Sequence, residues 1–142
     1  MKASNRLIEK IKEFEGYKSK AYRCPAGVWT CGYGHTKHVT PKTFCTKEQA
    51  EQWLLDDLKP IEIFLSASKE ITKTQGRFDA CADFCFNLGI ATFKKSTLYR
   101  LIFQSASDED ILAQFARWIH AGGKPLEGLK RRRAWECHRW AE

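Results

Sequence analysis

Glu15, Cys24 and Thr30 are the residues whose types and spacing could do chemistry, with Gly32-Tyr33-Gly34-His35 following closely. Eight residues separate the glutamate from the cysteine, and five separate the cysteine from the threonine. A carboxyl can protonate a leaving oxygen, and two polar side chains facing it can hold or activate a water. That division of labour suits hydrolysis of a glycosidic bond. Taken alone, Glu15 reads more simply as a solvated glutamate at a helix end. His35 reads as a catalytic base, a metal ligand or a structural histidine paired with a carboxylate, and the structural role is the expected one.

Local elements must bring these groups together. From Ser4 to Glu15 the apolar positions Leu7, Ile8, Ile11 and Phe14 recur at helical spacing, with Ser4 as cap and Gly16 just past the end. Glu15 then sits in the last turn, where the partial negative charge of the helix end disfavours a second one and favours the protonated carboxyl that a general acid needs. A nearby arginine would act in the opposite sense. Pro25-Ala26-Gly27 marks a turn between Ala21–Cys24 and Val28–Cys31, which predicts a hairpin carrying Cys24 and Thr30 back toward that helix end.

The run Glu15-x8-Cys24-x5-Thr30 followed by Gly-x-Gly-His resembles the signature of the phage-type lysozymes, the muramidase endolysins. Phe78-Asp79-Ala80, Phe86-Asn87-Leu88-Gly89 and Phe93-x-x-Ser96-Thr97-Leu98 continue the likeness. So do Arg117-Trp118, Gly122-Gly123, Gly128-Leu129 and Arg131-Arg132-Arg133-Ala134-x-Glu136. The resemblance implies an α+β, mostly helical, two-lobed lysozyme-like fold with a small N-terminal β-hairpin lobe, a long linking helix and a helical C-terminal lobe. One domain over 1–142 is expected, with an N-terminal lobe at about 12–46, the linking helix at about 46–66, and a C-terminal lobe at about 67–142 on which helix 1–15 packs.

The implied activity is cleavage of the β-1,4 bond between N-acetylmuramic acid and N-acetylglucosamine in peptidoglycan. By residue match, Glu15 is the general acid and Thr30 helps hold the attacking water. Cys24 stands where many relatives carry aspartate. A thiol ionises at about 8.5, so Cys24 must lose its proton or act by polarity. As a thiolate it could instead attack the sugar, giving retention; water-mediated inversion is the expected route. Gly34, Asn87, Ser96 and Thr97 match positions lining the substrate cleft, although each is alternatively a turn or cap residue. His35 and Asp57 match a structural ion pair, both charged, and one of Arg131, Arg132 and Arg133 faces Glu15. A non-catalytic peptidoglycan-binding module on the same scaffold is the alternative.

Composition fits this reading. A chain of 142 residues with net charge +7 suits an anionic partner such as the cell envelope. Nucleic acid would satisfy the same charge, but the aromatics have core spacing and the Lys130–Arg133 run reads as a solvated helix face, so no nucleic-acid partner is expected. No cofactor or metal is expected: six cysteines occur, but no CxxC pair. Cys81 and Cys85 read as small core hydrophobes, whereas Cys24 and Cys31 on opposite hairpin arms suggest a disulfide that would hold the thiol inactive until reduced. No signal peptide or membrane anchor is legible. The expected protein is a monomer held in the host cytoplasm, released by a separate pore-forming partner to act at the periplasm or cell wall. Beyond the hairpin, Thr46-Lys47-Glu48-Gln49 opens a helix that Pro60 should kink, and helices are expected near 73–90, 95–105, 108–119 and 126–141.

Overall fold

A computed structural model describes residues 1–142. Helix α1 (Asn5–Glu15) begins where Ser4 accepts from the Leu7 N–H and ends at Gly16, whose φ of 70° turns the chain away. Strands β1 (Lys18–Arg23) and β2 (Trp29–Gly32) form an antiparallel hairpin pairing Tyr22 with Thr30 and Arg23 with Trp29. The turn falls at Pro25–Gly27, as its composition predicts. Helix α2 (Lys47–Ser66) starts at the Thr46 cap, which accepts from the Gln49 N–H, and continues through Pro60 to its end. The helix therefore runs on past the N–H that proline lacks.

A 3-10 turn (Ile71–Lys73) leads into α3 (Gln75–Leu88), followed by α4 (Ile90–Lys95), α5 (Thr97–Phe103) and α6 (Asp108–Phe115). A two-residue-per-strand hairpin, β3 (His120–Ala121) and β4 (Lys124–Pro125), precedes α7 (Glu127–Ala141). Gly122 and Gly123 form its turn with φ of 59° and 79°. The stretch expected as one helix from 108 to 119 ends at Phe115.

The main core joins Leu7 and Ile11 of α1, Leu54, Leu58 and Leu65 of α2, and Phe78, Phe84, Phe93 and Phe115. Cys81 and Cys85 are buried in it, as small core hydrophobes should be. A separate small cluster of Cys31, Cys45 and Ala50, flanked by Tyr17, Tyr33 and Trp53, ties the hairpin to the start of α2.

Helix α3 is buried along its length, including two aspartates at i and i+4. Asp79 accepts from Arg139 Nε and Nη2 at 3.0 and 2.8 Å, and Asp83 accepts from Arg132 Nε and Nη2, both at 2.9 Å. These fork-to-carboxylate pairs weld α7 onto α3. The Lys130–Arg133 run is therefore not the solvated face its composition suggests: Lys130 and Arg131 are exposed, but Arg132 and Arg133 are buried. The Cys24–Cys31 disulfide that their places on the hairpin arms suggested is not formed. Strand alternation turns Cys31 inward, its Sγ 3.5 Å from that of Cys45, while Cys24 faces a cleft beyond the end of β1.

Candidate active site

The end of α1, the hairpin, the Gly34 turn, the end of α3 and the 120–125 hairpin enclose a cleft of about 950 Å³. It is lined by Glu15, Cys24, Thr30, Gly34 and Asn87, so five of the residues singled out from sequence meet there. Tyr22, Thr36, Phe86, Ala121 and Gly122 complete much of the wall. Tyr22, Thr36 and Ala121 carry no mark in the sequence, and Phe86 and Gly122 stand in the motif blocks without a role of their own.

Arg132 is the arginine that faces Glu15. Its Nη1 donates to Glu15 Oε2 at 2.7 Å, while its other two nitrogens, Nε and Nη2, donate to Asp83. Burial works against the guanidinium charge, but Asp83 and Glu15 outweigh it and hold the group above its ordinary value. With Asp83 bidentate on the same guanidinium, Arg132 orients Glu15 without offering it an unshared positive charge. Glu15 Oε1 lies against Gly34: a Cβ there would stand 2.6 Å from it, and the residue's φ is +75°. Glycine is required at this point on both counts.

On the facing wall, Thr30 is almost fully buried and its Oγ1 donates to the Val28 carbonyl at 2.9 Å. Hydrogen bonds from the backbone of Val28 hold the Cys24 thiol below its ordinary value; partial burial opposes this, and Ala26 and the Thr30 side chain add to it. The hairpin thus eases ionisation of the Cys24 thiol. Asn87 is fixed from behind, its Oδ1 accepting from Arg133 Nη2 at 2.7 Å, which leaves its amide N–H groups for the cleft.

Two expected cleft residues, Ser96 and Thr97, lie elsewhere, and the expected His35–Asp57 pair forms away from the cleft. His35 Nδ1 and Asp57 Oδ2 are 2.8 Å apart, and the imidazole stacks on Trp53 at 4.5 Å. Burial pushes the Asp57 carboxyl up from its usual value, with His35 opposing. The pair closes the hairpin onto α2 and borders a different cavity, of about 450 Å³. Ser96 is buried as the cap of α5, accepting from the Tyr99 N–H at 3.0 Å and donating to the Phe93 carbonyl at 2.6 Å. Thr97 lines a shallower depression with Gln114, Arg117 and Trp118.

The phage lysozyme family model matches residues 12–136 of this chain. The chain belongs to the phage lysozyme family. This lysozyme is 37% identical over 141 residues to the endolysin of Acyrthosiphon pisum secondary endosymbiont phage 1, covering 94% of this chain and 93% of that protein. It is 32% identical over 142 residues to the endolysin of Salmonella phage P22, covering 94% of each. Among solved structures, the muramidase domain of SpmX from Asticaccaulis excentricus superposes with a TM-score of 0.86 at 33% identity, over 99% of this chain and 98% of that one. The mostly helical architecture with its small hairpin is thus the fold of the family.

Proposed function

We propose that this lysozyme hydrolyses the β-1,4 bond between N-acetylmuramic acid and N-acetylglucosamine in peptidoglycan, with Glu15, Cys24 and Thr30 as its catalytic residues. The observation that carries the reading is the cleft in which an arginine-oriented carboxyl and a thiol whose ionisation the hairpin backbone eases occupy facing walls. Glu15 gives its proton to the departing glycosidic oxygen. Water held by Thr30 and Cys24 attacks the anomeric carbon from the other side and passes a proton to the Cys24 sulfur, so the product is inverted. Gly34 and Asn87 line the sugar path, and the net charge of +7 draws the enzyme to the anionic wall.

No helix is long and apolar enough to cross a membrane. The proposed route to the wall is accumulation in the host cytoplasm and release by a separate pore-forming partner, which co-expression with and without such a partner, read as culture lysis, tests.

Reducing-end release from purified peptidoglycan is the direct assay. Glu15→Gln should lose roughly 10²–10⁴-fold in kcat while keeping the wild-type circular dichroism spectrum. Release by neither protein would leave a wall-binding module. Cys24→Asp should retain activity and carry its acid limb to lower pH, because a carboxylate ionises below even a depressed thiol. An unchanged limb would remove Cys24 from water activation.

A further inference from the structure

The small cluster beneath the hairpin holds two thiols that the hydrolytic mechanism does not use. Cys31 follows Thr30 on β2 and is fully buried; Cys45 immediately precedes the Thr46 cap of α2 and is 5% exposed. Their Sγ atoms are 3.5 Å apart, and both lie within 3.7 Å of the Lys18 carbonyl. The backbone around them is already held in place. Cys45 N donates to the Ser19 carbonyl at 2.9 Å, Phe44 bridges Lys20, and Cys31 exchanges backbone bonds with His35 at 2.9 and 3.0 Å. Bringing the sulfurs to bonding distance thus asks for side-chain rotation between two anchored segments, not for movement of an element.

We propose that Cys31 and Cys45 are a disulfide-forming pair that links β2 to the start of α2 in an oxidising compartment, leaving Cys24 free in the cleft. The oxidant is an external disulfide, small or protein-borne. One cysteine thiolate attacks it and releases one of its sulfurs as a thiol; the second cysteine then breaks the mixed disulfide and releases the other. The pair gives up two protons and two electrons, and the external disulfide becomes two thiols. Burial and the neighbouring Cys31 push the Cys45 thiol up to about 11, so the folded pair reacts slowly and oxidation is fastest during folding or local opening. The closed ring spans residues 31–45, which includes Gly34. It begins next to Thr30, so it stiffens the wall opposite Glu15.

The wild-type chain would be refolded in a mixture of reduced and oxidised glutathione, blocked with iodoacetamide and digested with trypsin and chymotrypsin. Cleavage after Trp29 separates Cys24 from Cys31, so mass spectrometry assigns each sulfur. The expected product is a Cys31–Cys45 cross-linked peptide with alkylated Cys24. Its Tm should exceed that of the reduced protein by roughly 10 °C, as closing a ring of this size implies. Dithiothreitol and Cys45→Ala should each abolish the increment. Recovery of Cys31 and Cys45 as free thiols after denaturation, or a cross-link to Cys24, overturns the proposal. The peptide map uses wild-type protein, so it stands even if the variant folds poorly.

Discussion

Glu15 depends on a neighbour with no side chain at all. Gly34 combines a left-handed φ with a position where any Cβ would overlap the Glu15 carboxyl. Gly34→Ala should therefore act on catalysis more than on folding. The strained backbone costs about 1 kcal/mol, while displacing the acid by a fraction of an ångström to an ångström should cost roughly 10²-fold in kcat. Thermal unfolding and reducing-end release on the same preparation separate the two effects. A variant that loses Tm but keeps kcat would mean that Glu15 tolerates the shift. The same neighbourhood explains why Arg132, and not Arg131 or Arg133, meets the acid. Arg131 is exposed, and Arg133 is turned to Glu136 and Asn87.

Among the elements, α3 and α7 do most of the positioning. Gly76 at the start of α3 lets the helices approach so closely that a Cβ there would collide with the Arg139 carbonyl. Asp79 and Asp83 then clamp Arg139 and Arg132, and Arg132 extends to Glu15 on α1. Helix α5 shows the opposite case, a residue matched to the cleft whose hydroxyl is spent on its own element. Ser96→Ala should remove the cap at a cost of about 1 kcal/mol and lower Tm by a few degrees, with KM for peptidoglycan unchanged. A raised KM at wild-type Tm would return Ser96 to substrate binding.

At the scale of the whole molecule, the interior carries an uneven charge count. Arg132 and Arg133 face three carboxyls, Glu15, Asp83 and Glu136, so the carboxyls outnumber the guanidinium groups. Burial, followed by the charge of Asp83, pushes Glu136 well above its ordinary 4.5, although Arg133 Nη2 donates to it at 2.9 Å. A carboxyl that holds its proton more tightly when folded stabilises the protein below its unfolded value, and that contribution is lost as pH rises through the folded value. Asp57, raised by burial, acts with the same sign. Stability should fall as pH climbs from about 4.5, and Glu136→Gln should flatten the decline. Urea midpoints across that range check it; an equal slope in the variant would move the proton to another group.

Ser4, Thr46, Pro25–Gly27 and the 3.6-residue periodicity of α1 were legible because caps, turns and amphipathic faces are set by neighbours in the chain. The ordered motif blocks likewise sufficed to place Glu15, Cys24, Thr30, Gly34 and Asn87 in one cleft and to pair His35 with Asp57. The partners of buried charge and sulfur were not legible. Whether Arg132 is solvated or clamped, whether Cys31 meets Cys24 or Cys45, and whether Ser96 faces sugar or backbone depend on which way each side chain turns once distant helices pack. A local sequence pattern carries period and propensity, but desolvation is imposed by residues far away in the chain, and only the tertiary structure decides it.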